Sequence, residues 1–97
     1  MGDRQATVRH EAAQRRYELR VDGQSLGFAE YNEQGELMVF THTEVDPSLS
    51  GQGLGSVLAK GALEDARRRG KRVVPQCEFI ASYIERHEQW QDLVDPA

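Results

Sequence analysis

The tightest constraint on this chain is a change of period. Up to Val45 the apolar residues recur mostly at every second position, and from Leu54 they recur at every third and fourth; between the two runs stand Gly51, Gly53 and Gly55. A period of two marks a half-buried strand and a period between three and four an amphipathic helix. The chain must therefore pass from sheet to helix through a loop nearly bare of side chains. Such a loop exposes the unpaired N–H groups and positive dipole end of a helix, and glycine lets an anion approach without a Cβ in the way. It is a candidate anion site, set against the plainer reading that the glycines only make the turn.

On the strand side, Arg15 to Val21 alternates with Tyr17, Leu19 and Val21 on one face, and Asp22-Gly23 is the pair a tight hairpin favours. Ser25 to Tyr31 reads as the return strand, Glu33 to Glu36 as a second turn, and Leu37 to Val45 as a strand rich in β-branched and aromatic residues. A short strand from Ala6 to His10 is expected ahead of these, completing an antiparallel meander. On the helix side, Leu54, Val57, Leu58, Gly61, Ala62 and Leu63 form one stripe, and the helix should stop near Gly70. Lys71 to Gln76 then reads as a strand with Val73 and Val74 buried, closing a right-handed parallel crossover. Phe79 to Val94 has helical spacing with a break expected near His87. The expected class is α/β with a mixed sheet: a meander, a β-α-β crossover and a C-terminal helical segment. A chain of 97 residues holds one such domain, over 1–97 with its core at about 7–94.

Charge and composition narrow the function. A net charge of −4 argues against nucleic acid as a partner, because binding a phosphate backbone needs a positive surface. The opening residues lack the apolar run of a secretory signal and no later stretch is long enough to span a membrane, so a cytoplasmic protein without membrane contact is expected. A single cysteine, Cys77, excludes an internal disulfide, and His10, His42 and His87 have no ligand spacing, so no metal is expected. The basic run Arg67, Arg68, Arg69, Lys71, Arg72 reads first as a solvated helix end favourably placed against the dipole, and second as a lure for an anionic ligand.

Two nucleotide motifs fail at the glycine loop. A Walker loop needs Lys and then Ser or Thr after its last glycine, where this chain has Ser56 and Val57. A Rossmann fingerprint needs a first strand before it and Gly or Ala at position 56. The order strand, glycine loop, long helix instead resembles the acetyl-CoA signature of the GNAT N-acetyltransferase superfamily, Arg/Gln-x-x-Gly-x-Gly/Ala. Gly53 and Gly55 stand at its two glycine positions, Val45, Asp46 and Pro47 match the V-x-P run before it, and Ser50 stands where Arg or Gln is usual. Taken together, "HTEV", "GQGLG", "VVPQCEFIASYIERH" and the following tryptophan resemble the short, stand-alone GNAT-like family, from about Tyr17 to Val94.

The resemblance implies a reduced GNAT fold, acetyl-CoA as cosubstrate and an unidentified amine as acceptor, in a monomer or weak dimer. It places the pyrophosphate on the loop formed by Ser50, Gly51, Gln52, Gly53, Leu54, Gly55 and Ser56, and the thioester where the third meander strand parts from the Val73-Val74 strand. Backbone N–H groups around Glu44 and Val45 are the candidates for the carbonyl oxygen. Three side chains are catalytic candidates. His42 has the imidazole to act as general base, Cys77 a thiol able to carry the acetyl group if a neighbour such as His42 activates it, and Tyr83 a phenol able to protonate the departing thiolate. Each also has a plain structural reading, as a sheet histidine, a small buried thiol and a core tyrosine. Lys60 and the Arg67 to Arg69 run are further candidates for the anionic tail of CoA. The alternative function is a CoA-binding module with little or no catalysis, favoured by Ser50 and by the absence of acceptor-shaping helices; an interaction domain without a cofactor ranks behind both.

Overall fold

A computed structural model, describing residues 5–49 and 51–96, has the expected architecture. Strands β1 (Ala6–Glu11), β2 (Arg16–Val21), β3 (Gln24–Gln34) and β4 (Leu37–Val45) form an antiparallel meander; helix α1 (Leu54–Arg68) leads to β5 (Arg72–Pro75), and α2 (Glu78–Arg86) is followed by a 3-10 segment, Glu88–Leu93. The sheet order is β1-β2-β3-β4-β5, with β5 parallel to β4.

Local chemistry accounts for the elements. Asp22 and Gly23 both have positive φ, 51° and 85°, as a two-residue hairpin turn requires. β3 runs past Tyr31 because Asn32, Glu33 and Gln34, polar and exposed, still pair with Val39, Met38 and Leu37 of β4. The side-chain pattern ends before the ladder does. Val73 is fully buried, but Val74 is only half-buried, because successive strand residues face opposite ways. The C-terminal segment breaks at His87, which takes extended dihedrals of −131° and 93°.

The helices and the C-terminal turns join one core on one face of the sheet, where Tyr17, Leu19, Met38 and Phe40 meet Leu58, Leu63 and Ile80. The seating of α1 depends on Gly61. A Cβ there would stand 2.6 Å from Val8 Cγ2 and 2.7 Å from Val8 Cβ, so β1 lies against the helix backbone itself. Further along α1, Asp65 anchors a polar network. The Tyr17 hydroxyl donates to its Oδ2 at 2.6 Å, Arg69 Nε pairs with the same oxygen at 3.1 Å, and Arg68 pairs with Oδ1. His10 stacks on Tyr17 at 4.5 Å and shares a 2.5 Å hydrogen bond between its Nε2 and the Tyr31 hydroxyl. Burial, reinforced by Asp65, pushes the Tyr17 phenol far up, so it remains a neutral donor.

The basic run is thereby occupied. Arg67 pairs with Asp92 at 2.9 Å and lies 5.1 Å over the Trp90 ring; Lys71 pairs with Glu33 at 3.1 Å and Arg72 with Asp95 at 3.8 Å. Arg67 lies about 20 Å along the helix from Leu54, at 1.5 Å per residue. Through Asp92 and the Trp90 ring it fastens the C-terminal turns.

Two outcomes follow for stability. Gly61→Ala should lower the unfolding free energy by about 1–3 kcal/mol by overpacking, against the usual gain of alanine in a helix. Urea denaturation should show the loss relieved in a Val8→Ala background. Desolvation lowers the His10 pKa from 6.5, partly opposed by Asp65. The unfolded chain therefore takes up the extra proton first, and stability present above pH 6.5 declines as pH falls through the lowered value. Melting curves of His10→Gln should be flatter across that interval than those of the wild type.

Candidate functional site

β4 and β5 pair from Leu37 and Arg72 to Phe40 and Pro75, and no further. Two residues end the ladder. Gln76, the next residue in line to donate to β4, turns its N–H back to the Val74 carbonyl at 3.1 Å. In β4, Phe40 opposes Tyr31 and His42 opposes Glu30, which leaves Thr41 as the extra residue of a β-bulge. The last link is the Cys77 N–H to the Phe40 carbonyl at 2.9 Å. Beyond it the chain turns into α2, while β4 continues to Val45 beside an opening.

The bulge also resets which side chains face the helices. Met38 and Phe40 face them before Thr41, and Thr43 and Val45 do so after it, paired with the inward Ala29 and Gly27. His42 and Glu44 take the opposite face. The Tyr31 N–H bonds the Arg15 carbonyl at 3.0 Å and the Asp46 N–H bonds the Leu26 carbonyl at 2.8 Å, and these two bonds set the phase of the ladder. Phe28 and Glu30 bond toward β4, so Glu44 and His42 use their N–H groups within the sheet, and the N–H groups of Thr43 and Val45 point into the opening. Of the two N–H groups expected at the thioester, that of Val45 points into the opening and that of Glu44 faces β3.

The loop after β4 is a succession of tight turns. Asp46 Oδ1 accepts the Ser48 N–H at 2.8 Å, and this contact together with the Ser48 hydroxyl holds the Asp46 carboxyl below its usual range. The Leu49 N–H bonds the Asp46 carbonyl at 2.9 Å and the Gln52 N–H bonds the Leu49 carbonyl at 3.1 Å. The three glycines have different tasks. Gly51 and Gly53 have φ of 80° and 71°, which an L side chain rarely adopts. Gly55 lies inside α1, where a Cβ would stand 2.8 Å from Phe79 Cζ. Gly53 caps α1 with no side-chain hydrogen bond, and no acidic residue occupies the first turn. The Ser56 N–H folds back to the Gly53 carbonyl at 3.2 Å, and among the described residues no backbone carbonyl takes the N–H groups of Leu54 and Gly55 at the helix start.

A cavity of about 350 Å³ lies between this loop and α2. Of the expected cofactor residues, Val45, Gly51, Gly53, Gly55 and Ser56 line it. Gln52 points back to the Ser48 carbonyl at 3.1 Å, the Leu54 side chain packs on the core, and Ser50 lies outside the described residues. Among the catalytic candidates, Tyr83 lines the cavity with its ring stacked 4.0 Å from His87. His42 is exposed and bonds Glu44 Oε2 through Nε2 at 2.7 Å. Cys77 is buried at the base of the opening, its Sγ 3.0 Å from the Thr43 hydroxyl. Cys77 and His42 thus lie on opposite faces of the sheet, and the structure does not bring them together. Lys60 lines a separate cavity beside β1, with His10 and Asp65, away from the glycine loop.

The sequence reading did not include Asp46, Pro47 and Leu49 of the loop among the site residues, nor, on α2, Phe79 and Arg86. With Tyr83 the last two stand at i, i+4 and i+7, one stripe of α2. That spacing was visible, but an exposed phenylalanine and an arginine next to a helix break carry no sign of what they face. Among the described residues no group of three or more His, Cys, Asp or Glu is placed to hold a metal ion, and no helix is long and apolar enough to cross a membrane.

The family model described as GCN5-related N-acetyl-transferase matches residues 16–93. A GCN5-like protein from Staphylococcus aureus, solved in solution by NMR, superposes with a TM-score of 0.71 at 22% identity, covering 100% of this chain and 93% of that one. No curated protein matches the sequence.

Gly55→Ala tests the cavity wall. The Phe79 ring is exposed and able to rotate away, so stability should change by less than about 1 kcal/mol, while the displaced ring narrows the cavity. Gly53→Ala should instead cost about 1–2 kcal/mol through its left-handed backbone. Denaturation curves of the two variants separate the contact from the conformation.

Proposed function

The chain belongs to the GCN5-related N-acetyltransferase family, and on that premise we propose that it transfers an acetyl group from acetyl-CoA to an amine. The observation that carries the reading is the junction at Val45. This residue lines the cavity under the glycine loop and also turns its N–H into the opening between β4 and β5. A ligand with an anionic end and an acyl end fits both at once. The pyrophosphate rests on the N–H groups at the start of α1, the pantetheine arm follows the free edge of β4, and the thioester carbonyl accepts from the Val45 N–H, which stabilises the developing oxyanion.

The acceptor approaches from the opposite face of the sheet, where His42 and Glu44 stand. With Glu44 accepting from Nε2–H, His42 Nδ1 keeps its lone pair and takes the proton as the amine nitrogen attacks. Glu44 orients the ring and stabilises the imidazolium. The new C–N bond forms as the C–S bond breaks, and Tyr83, lining the donor cavity, supplies the proton for the departing thiolate. Cys77 has the Thr43 hydroxyl as its partner and no hydrogen bond to a basic group among the described residues, which favours direct transfer over an acetyl-cysteine intermediate.

Thiol release from acetyl-CoA with a panel of amines should exceed the uncatalysed rate. His42→Ala should lower kcat/KM by about a hundredfold, and Cys77→Ser should keep most activity, with no acetyl adduct on either protein by intact mass. An adduct on the wild type that is absent in Cys77→Ser would move the mechanism to the covalent route. A thermal shift with CoA but no turnover would leave a CoA-binding module.

A further inference from the structure

We infer that Arg86 is the residue that binds the pyrophosphate of CoA through its charge, an assignment that rests on the acetyl-CoA reading above. The loop from Asp46 to Ser56 contains no Lys or Arg. Its attraction for a dianion comes from backbone N–H groups and the helix end alone, worth only part of a charge. Among the described residues that line the cavity formed by that loop, one is cationic, Arg86.

Its position and bonding fit the task. Arg86 lies in the last turn of α2, on the stripe that begins with Phe79 against Gly55. α2 therefore forms the wall facing the glycines. Arg86 Nε is tied to the Ser82 carbonyl of its own helix at 3.3 Å, and among the described residues no carboxylate pairs with its guanidinium. The cations of the helical run differ in this respect, since Arg67, Arg68 and Arg69 each hold a carboxylate. The carboxylate that shares the cavity, Asp46, is engaged by Ser48. Arg86 is thus anchored through one nitrogen with its two Nη groups available. A guanidinium with two free parallel donors suits phosphate oxygens. Phosphate would then be gripped from both sides, by backbone N–H groups of α1 and by a side chain of α2.

The test measures binding to the full chain of CoA, dephospho-CoA and pantetheine by titration calorimetry, with wild type and Arg86→Gln at low and high salt. Arg86→Lys serves as a second variant if Arg86→Gln does not fold. The variant should bind CoA and dephospho-CoA about tenfold more weakly, leave pantetheine unchanged, and lose part of the salt dependence seen with wild type. Equal affinity of wild type and variant for CoA would overturn the inference. So would a loss confined to CoA, which would put Arg86 at the 3′-phosphate, or an equal loss for pantetheine, which would make its role structural. Failure of the wild type to bind CoA at all would instead remove the acetyl-CoA reading itself.

Discussion

The parallel ladder between β4 and β5 closes after Phe40 and Pro75 because the Gln76 N–H turns back to Val74 and Thr41 bulges out of the neighbouring strand. The other parts of the site take their positions from that ending. The Cys77 N–H makes the final bond across the gap, and the chain then leaves the sheet as α2, whose first turn meets the first turn of α1 at Phe79 and Gly55. The cavity under the glycine loop is the space between the start of α1 and one stripe of α2, from Phe79 to Arg86, held in place by the end of one short ladder. Had the pairing run on to the end of β4, the N–H groups of Thr43 and Val45 would be sheet bonds.

The bulge at Thr41 divides the chemistry between two faces. Side chains alternate along a strand, and one inserted residue shifts the alternation by one place. Thr43 and Val45 thereby reach the helix side, where Val45 lines the cavity, whereas His42 and Glu44 reach the open side. In the proposed reaction the donor and acceptor come from opposite sides of the sheet plane and meet at the opening.

The remaining half of the molecule is a support for this arrangement. Gly61 brings α1 into backbone contact with β1, and Asp65 draws Tyr17, Arg68 and Arg69 into one network at the far end of the helix. These contacts hold α1 along its length, so that its N-terminus is delivered to a set place at the end of β4. A small domain has little core to do this with, and the ion pairs of Arg67, Lys71 and Arg72 add the C-terminal turns to the same assembly.

Much of this was legible in the residues themselves. The alternation of Tyr17, Leu19 and Val21, the Asp22-Gly23 turn, the stripe from Leu54 to Leu63 and the break at His87 are local signals, because period and turn chemistry act over a few neighbouring positions. The glycine loop with its flanking motifs identified the family by the same kind of local pattern. What lay beyond the sequence depended on register and on distant contacts. The separation of Cys77 from His42 follows from a bulge that only strand pairing defines. The different reasons for Gly53 and Gly55, one for its dihedral and one for the ring of Phe79, appear only when α2 is in place. That Arg86 lines the same cavity as the loop appears only when α2 is packed against it. The sequence by itself determined the elements, their order and the family; the tertiary structure decided which side of the sheet each functional group occupies, since a face is set by pairing between strands and not by any one strand alone.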